Sequence, residues 1–254
     1  MEISERPDLS GQKRIAVLPL GATEQHGPHL PCETDSLIAE AVVSRAVRQL
    51  PKSINVDVLP VETVGYSIEH VDFTETQTLD HADAVERWIG IGAEQSRKGI
   101  GRFVMLNAHG GNSPLMTIVA TELRVHHAML AVATSWTRFG YPPGLVSDAE
   151  RAIGIHAGFA ETSMMLAIKP ELVDMGKARN FPSKQAEWTG EFSHLRAYGP
   201  HAFGWKMQDL NPDGAAGNAA SATAEAGEKL IEHASRGFAE LLIDIDSFDL
   251  TQLR

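Results

Sequence analysis

Short apolar runs alternate along the chain with longer segments in which apolar residues recur at helical spacing. The run RIAVLPL, Arg14–Leu20, is nearly continuous and stops at Gly21, which is typical of a strand buried on both faces. Residues 36–50 follow a helical period, with Asp35 predicted as the N-cap and Pro51 as the stop. This part of the chain therefore predicts a strand, a loop and a helix in that order.

The alternation continues to the end of the chain. Residues 181–217 are rich in Gly, Pro and aromatic residues and show no clear period. Alternating strands and helices predict an α/β fold in which a mainly parallel sheet lies between helices. The other predicted elements are strands at 55–61, 102–106 and 130–134, and helices at 80–98, from 113, around 157–168 and at roughly 219–243.

Composition narrows the classes of protein to consider. The 254 residues are 43% hydrophobic, which suits one sizeable core, so we expect a single domain over 1–254 with a poorly ordered segment at 1–12. The net charge of −11, without a basic stripe, argues against a nucleic-acid partner. No apolar run approaches the ~18 residues of a membrane span. One cysteine and a charged N-terminus predict a cytoplasmic protein without disulfides.

Metal-binding side chains crowd the loop that follows the first strand, GATEQHGPHLPCETD. Glu24 and His26 are two residues apart and point the same way if the chain is extended there, and Asp35 comes at the next helix. Carboxylates with imidazole suit Zn²⁺, Mn²⁺ or Fe²⁺, and the lack of paired cysteines favours an open catalytic site. The alternative is that Asp35 only caps a helix and the histidines lie in a solvated loop.

A second polar loop, NAHGGN, follows the buried strand at 102–106. His109 is a candidate metal ligand, and Gly110 and Gly111 leave backbone N–H groups free to bind an oxyanion at a helix N-terminus. In a parallel sheet both loops open on the crevice at the carboxyl ends of the strands. A phosphate-binding turn without metal, or a tight turn that simply needs glycine, is the alternative.

The third motif is HAGFAETS. His156 and Glu161 would lie about 140° apart on an ideal helix, so they share a site only if His156 precedes the helix. Glu161 stands among apolar residues, where a carboxylate needs a compensating cation or donor. We expect a metal-ligand or acid–base role for Glu161 and an acid–base role for His156, with an ordinary ion pair of Glu161 as the alternative.

Further candidates are weaker. Tyr66, Ser67, Glu69 and His70 occupy the loop after the second predicted strand, which also opens on the crevice and predicts substrate contacts. Trp205 is a candidate for the pocket wall, or an ordinary core residue. The remaining candidates have no predicted ligand role: Cys32 as a small hydrophobe, His126 and His127 on a helix, and His29 in the first loop.

At these residues the sequence resembles the creatininase family, from about residue 14 to about residue 243. TEQHGPHLP with its downstream TD, N-A-HGGN and HAG-x-x-ETS stand in the family's order and spacing. The resemblance implies a three-layer α/β/α fold, two divalent ions (Zn, Mn or Fe) and commonly a homo-oligomer, a hexameric trimer of dimers. It also implies that Glu24 and His109 bind one ion, His26 the other, and Asp35 both.

Two departures from creatininases proper bear on the substrate. Those enzymes carry a metal-binding glutamate two residues after the equivalent of His109, where this chain has Gly111. Their substrate-contacting tryptophan and aspartate, just upstream of HAG, are also missing, since Arg151, Ala152 and Ile153 stand there. The chain is closer to the HGGN branches, which include formamide deformylases, a mycofactocin-precursor peptidase and cyclic-ketone hydrolases. Glu161 would then supply the missing carboxylate, or the second ion site is weak or empty.

The combined expectation is a hydrolase of a C–N amide bond, cyclic amide or formamide, in a small molecule. Divalent ions lower the pKa of bound water, and the hydroxide attacks the carbonyl. The N–H groups of Gly110 and Gly111 stabilise the oxyanion, and His156 or Glu161 protonates the leaving nitrogen. The alternatives are hydrolysis of a cyclic-ketone C–C bond and a non-catalytic metabolite-binding module, against which no G-x-G-x-x-G or P-loop appears.

Overall fold

A four-stranded parallel sheet forms the centre of the protein. The computed structural model describes residues 13–253, so the predicted segment 1–12 lies outside the described residues. The strand order is β2-β1-β3-β4, and every neighbouring pair is parallel. The strands are β1 (Arg14–Leu20), β2 (Asn55–Val58), β3 (Arg102–Asn107) and β4 (Leu130–Ser135).

Helices cover both faces of this sheet, as the alternating pattern predicts. Ile15 and Val17 belong to one core cluster, together with buried residues of α1, α5 and α8. Ala16 and Leu18 point to the opposite face and join a cluster with α2 and α3, as the two-residue period of a strand requires. The helices are α1 (Thr34–Gln49), α2 (His81–Arg97), α3 (Ser113–His127), α4 (Asp148–Ile153), α5 (Phe159–Ile168), α6 (Lys184–Glu191), α7 (Met207–Leu210) and α8 (Ala224–Ser247).

Strand register places three loops at one edge of the sheet. Leu20 lies opposite Asn107, and Asn107 lies opposite Ser135. The three strands therefore end at the same level, and the loops that follow β1, β3 and β4 leave the sheet side by side. The three-layer α/β/α fold and the position of the polar loops at the carboxyl ends of the strands are confirmed.

The prediction that Asp35 is the N-cap of α1 is wrong. The helix begins at Thr34, and Glu33 occupies the N-cap position. The backbone N–H and the hydroxyl of Thr34 both donate to the carbonyl of Pro31, which starts the helix two residues earlier than predicted. Asp35 therefore stands inside the first turn of α1. Its buried carboxylate does not cap the helix and faces the loops at the sheet edge.

The irregular segment after α5 folds into small elements that return to the sheet edge. Two residues of β5 (Asn180–Phe181) pair antiparallel with β6 (Gly217–Asn218). Just before β6, Ala216 exchanges two backbone hydrogen bonds with His156, of 2.8 and 3.4 Å. The final helix starts and ends later than predicted, at 224 and 247. None of the helices within residues 13–253 has the length and apolar character to cross a membrane.

Candidate metal centre

The loop after β1 brings Glu24, His26 and Asp35 together. All three are at most 1% exposed. The Nε2 atom of His26 lies 3.3 Å from Oδ1 of Asp35 and 4.0 Å from Oε1 of Glu24. The Nδ1 atom of His26 lies 2.9 Å from the backbone carbonyl of Glu24, so it donates there and leaves Nε2 facing the carboxylates. The prediction that Glu24 and His26 point the same way is confirmed.

His109, directly after β3, enters the same cluster. Its Nδ1 atom lies 3.1 Å from Oε1 of Glu24 and 3.6 Å from Oδ2 of Asp35. Its Nε2 atom donates to the backbone carbonyl of Tyr66 at 2.8 Å, and the hydroxyl of Ser67 is 3.2 Å away. Tyr66 and Ser67, predicted as substrate contacts, therefore hold a histidine in place.

His156 and Glu161 complete the cluster from the other side. His156 precedes α5, as sharing a site with Glu161 requires. Its Nδ1 atom lies 3.6 Å from Oε1 of Glu24, and Nε2 donates to the backbone carbonyl of Gln25 at 2.8 Å. Glu161 accepts a hydrogen bond of 2.6 Å from the backbone N–H of Ala157.

The carboxylate of Glu150 orders the turn that carries His156. It accepts hydrogen bonds from the backbone N–H groups of Phe159, at 2.8 Å, and Asn218, at 2.9 Å. Glycines 154 and 158 pack so closely against it that a side chain at either position would overlap it. Sequence reasoning missed Glu150, because a lone acid in a short helix carries no signal of a distant partner.

His70 also lies among the donors, although the sequence predicted it only as a substrate contact. Its Nε2 atom is 3.7 Å from Oε1 of Glu24, and its ring centroid is 4.4 Å from that of His156. The sequence signal for His70 was that its loop follows the second predicted strand and opens on the same crevice as the other donors. Three groups of donor atoms each lie within 4.8 Å of one another: Glu24, Asp35 and His109; His26, His156 and Glu161; Glu24, His70 and His156.

This arrangement fits divalent cations. His26, His109 and His156 each donate one ring N–H to a backbone carbonyl, which orients the ring and leaves its other nitrogen facing the carboxylates, as in metal sites. Both oxygens of Glu24 and Oδ2 of Asp35 are buried and accept no hydrogen bond from the described residues. Buried carboxylates need compensating positive charge. Nitrogen and oxygen donors of this mixture suit Zn²⁺, Mn²⁺ or Fe²⁺.

The titration of these groups shows the same need for positive charge. Burial opposes the charged form of His26, yet Asp35 and Glu24 raise its pKa to about 10. Burial also opposes the charge of His109, yet Glu24 and Asp35 raise its pKa to about 10. In the metal-free protein, protons therefore balance the carboxylates, and a cation that binds must displace them.

His156 and Glu161 titrate differently from His26 and His109. Burial lowers the pKa of His156 well below its ordinary value, and the neighbouring His26 and His70 lower it further. Burial raises the pKa of Glu161 to about 7, although His26 opposes this rise. His156 is thus neutral at pH 7, with its Nδ1 lone pair available to a proton.

Two cavities meet at the cluster, and Glu24, His109 and His156 line both. The smaller, about 220 Å³, extends past Asp35 and Glu161. The larger, about 520 Å³, holds four predicted substrate contacts, Gly110, Gly111, His70 and Trp205, together with Glu69. Within residues 13–253, Tyr66 and Ser67 line neither of these two cavities. The indole N–H of Trp205 donates to the carbonyl of Ala197 at 2.7 Å, which fixes that wall.

Gly111 has no room for a side chain. A Cβ atom there would overlap the carbonyl oxygen of Tyr66 and would lie 2.7 Å from Oε1 of Glu69. That Glu69 oxygen is itself 3.6 Å from Nε2 of His109. The glutamate that the resemblance places at this position in creatininases proper therefore has no space here, whereas Gly110 faces open space.

The weaker candidates lie outside the cluster. Burial raises the pKa of the half-buried Cys32 thiol, which disfavours the reactive thiolate. His126 pairs with Glu122 on the exposed side of α3, at 3.3 Å. His29 is buried beside the cluster and its Nε2 atom lies 2.9 Å from the hydroxyl of Thr162.

Comparison with known proteins agrees with this geometry. The family model described as "Creatininase: Creatinine amidohydrolase" matches residues 1–242. A mycofactocin precursor peptide peptidase from Mycolicibacterium smegmatis is 35% identical over 62% of this chain and 59% of the relative. A creatinine amidohydrolase from Pseudomonas putida is 30% identical over 66% of this chain and 69% of the relative. The chain thus matches less than two thirds of the length of the first of these relatives.

Solved creatininase structures superpose on nearly the whole chain. A manganese form has a TM-score of 0.74 and 25% identity, covering 94% of both chains. A variant described as Zn–Zn type has a TM-score of 0.72 and 26% identity, covering 93% of this chain and 92% of the other. The family model, the relatives and the solved structures agree with the three motifs that meet at one centre. The chain belongs to the creatininase family.

Proposed function

We propose that this protein is a metal-dependent hydrolase that cleaves a C–N amide bond, in a cyclic amide or a formamide, at a centre of two ions. One observation carries the proposal. Three buried histidines, each oriented by a backbone carbonyl, converge on Glu24 and Asp35, whose oxygens lack other partners. The two curated relatives are named for hydrolysis of C–N bonds in creatinine and in a peptide, which supports this reaction class.

Asp35 is the residue suited to hold both ions. Its Oδ1 atom faces His26 and its Oδ2 atom faces His109, at 3.3 and 3.6 Å. Glu24 and His109 would hold one ion with Asp35, while His26 and Glu161 would hold the other. Glu161 would thereby replace the glutamate for which Gly111 leaves no room. Divalent ions held by these residues would lower the pKa of water and polarise a carbonyl group.

The remaining residues orient the substrate and move protons. Gly110 and Gly111 line the larger cavity just before α3, where backbone N–H groups stabilise an oxyanion. His156 lines both cavities, and its donation to the Gln25 carbonyl leaves Nδ1 unprotonated. Nδ1 would accept the proton of the attacking water and pass it to the leaving nitrogen.

Substitution of Asp35 tests the centre directly. We expect Asp35→Ala to lose bound metal, measured by mass spectrometry of the purified protein, together with hydrolysis. Asp83→Ala is the matched control, because Asp83 also stands in the first turn of a helix but is exposed. If the folded Asp35→Ala protein keeps the metal content and activity of the wild type, the centre is wrongly assigned.

Two further variants separate the roles of Glu161 and His156. Glu161→Gln should lower the metal content, because an amide is a poor ligand for these ions. His156→Gln should keep the metal and lower kcat, because only the proton carrier is lost. The opposite pattern would exchange the two roles.

A panel of substrates identifies the bond that is cleaved. Formamides, lactams and cyclic ketones would be tested with Zn²⁺, Mn²⁺ or Fe²⁺ restored to the stripped protein. Hydrolysis of cyclic ketones alone would assign the reaction to a C–C bond. Ligand binding that is unchanged by metal removal, with no hydrolysis, would identify a binding module instead.

The predicted assembly and location stay predictions. Membership of the family is the basis for expecting a homo-oligomer, a hexameric trimer of dimers. Light scattering on the purified protein measures the mass and decides between this hexamer and smaller forms. The cytoplasmic location, predicted from the single cysteine and the charged N-terminus, has its own test in cell fractionation.

A further inference from the structure

One permanently charged side chain, that of the exposed Arg151, lines the smaller cavity. Arg151 is the only lysine or arginine that lines it within residues 13–253. The acids that also line it, Glu24, Asp35 and Glu161, all belong to the proposed metal centre. Under the proposed function the ions balance those acids, so the charge of Arg151 is left to act on whatever enters the cavity.

The guanidinium of Arg151 is held at one end and open at the other. Its Nε–H donates to the carbonyl of Val146 at 3.1 Å, and its central carbon lies 5.6 Å from the ring centroid of Tyr141. The two terminal nitrogens have no hydrogen bond or carboxylate partner among the described residues. A guanidinium that is oriented through Nε and free at both terminal nitrogens is suited to bind two oxygens of an anion.

The larger cavity has a different character. Its walls include Phe203, Trp205 and Tyr198, and no lysine or arginine lines it in the part of the chain that the structure describes. The cluster of donors lies between the two cavities. A substrate whose amide reaches the ions would therefore place a charged group on the Arg151 side and a less polar group on the other.

We infer that the substrate carries an anionic group, a carboxylate or a phosphate, which the terminal nitrogens of Arg151 bind in the smaller cavity. This inference rests on the proposed function, because that function places the amide at the donors.

Binding of three small amides to the zinc-loaded protein tests this inference by calorimetry at low ionic strength, where salt screens least. N-acetylglycine carries a carboxylate, N-acetyl-O-phosphoethanolamine carries a phosphate, and N-acetylethanolamine is neutral. We expect one of the anionic probes to bind about ten-fold more tightly than the neutral probe, the value of a charge-assisted hydrogen-bonded pair. The anionic probe that binds more tightly identifies the anionic group of the substrate.

The decisive measurement is whether the preference for an anionic probe depends on Arg151. Arg151→Gln should abolish the ten-fold preference while the metal content and melting temperature stay near those of the wild type. Arg138→Gln is the matched control, because Arg138 is an exposed arginine that does not line this cavity. Arg151→Lys, which keeps the charge without the planar fork, should retain part of the preference.

Each outcome bears on the inference. Equal binding of all three probes by the wild type, no binding of any probe, or a preference that survives in Arg151→Gln would overturn it. Failure of the proposed function looks different, because the protein would then show the Arg151-dependent preference yet cleave no amide. Hydrolysis of amides without any preference for an anion would leave the function standing and remove the role of Arg151.

Discussion

The donors of the candidate centre come from two regions that are held in different ways. Glu24 and His109 follow β1 and β3, whose ends are aligned by the backbone ladder between parallel strands. His156 stands in the turn between α4 and α5, and Glu161 stands in the first turn of α5, so neither residue follows a strand of the sheet. Glu150 ties the end of that turn to β6, because it accepts hydrogen bonds from the backbone N–H groups of Phe159 and Asn218. The sheet side thus depends on a continuous backbone ladder, whereas the turn side depends on a few separate hydrogen bonds, among them the two that Glu150 accepts.

This difference indicates that the donors at the strand ends and the donors around the turn can be disrupted separately. A substitution at the strand ends should act mainly through steric overlap, because the backbone ladder and several side-chain hydrogen bonds hold the geometry there together. In the turn, a change at Glu150 alone is enough, because the N–H groups of Phe159 and Asn218 then lose their acceptor. The two regions should therefore respond differently in stability and in metal content.

The largest effect is expected at Gly111, on the sheet side. A Cβ atom there overlaps the carbonyl of Tyr66, the same oxygen that orients His109. Gly111→Ala should lower the free energy of unfolding by about 4 kcal/mol, because a backbone atom cannot yield cheaply. Urea denaturation measures the loss, and the metal content should fall with it.

Gly110→Ala is the matched control for this variant, since no atom lies within 4 Å of a Cβ built at Gly110. It should change the stability by less than about 1 kcal/mol. Equal losses of stability in the two variants would show that close packing around His109 and Tyr66 does not hold the donors at the strand ends in place.

A smaller effect is expected at Glu150, on the turn side. Glu150→Gln replaces one of its two acceptor oxygens by an N–H₂ group that faces a backbone donor, Phe159 or Asn218. The loss should be about 2 kcal/mol, with a fall in kcat as His156 shifts. Under the proposed function, the ion that Glu24, Asp35 and His109 would hold should remain, as metal analysis would show.

Asp148→Asn in the same helix is the control for Glu150, because Asp148 is exposed. A Glu150→Gln protein as stable and as active as this control would show that the Glu150 carboxylate does not hold the turn.

The smallest effect concerns His29, whose Nε2 atom bonds Thr162 and so links the first loop to α5. Burial lowers the pKa of His29 to about 4, from 6.5, and the charge of His26 adds to this. The unfolded chain therefore binds a proton before the folded protein does, and stability present above pH 6.5 is lost as the pH falls towards 4. His29→Gln removes this dependence.

Urea unfolding of the metal-free protein at pH 7 and pH 5 measures the difference. The wild type should lose about 1.5 kcal/mol more than His29→Gln between these pH values. Parallel losses would show that His29 is protonated alike in the folded and unfolded states, and that its link to Thr162 tolerates charge.

Much of the fold and of the centre followed from local patterns. The apolar runs located all four strands of the sheet, and the polar loops after β1 and β3 pointed to its carboxyl edge. The requirement that His156 precede its helix came from the angular period alone and is confirmed. These inferences succeeded because a strand, a helix and a strand end depend on residues that are close in sequence.

Other features depend on contacts between distant residues. Asp35 has the composition of an N-cap, but the turn between Pro31 and Thr34 starts the helix before it. Segment 181–217 shows no period, because its two strands are two residues long and its helices are short. Nothing around Tyr66 or Gln25 marks their carbonyls as partners of His109 and His156.

The amino-acid sequence by itself determined the layered fold, the family and the residue types available at the sheet edge, because periodicity and motif spacing are local properties. Tertiary structure decided which side chains share a centre. It added His70, assigned Glu150 to the turn and placed Arg151 in the wall of a cavity. The physical reason is that charge compensation and orientation of a buried side chain depend on neighbours that only folding brings within a few ångströms.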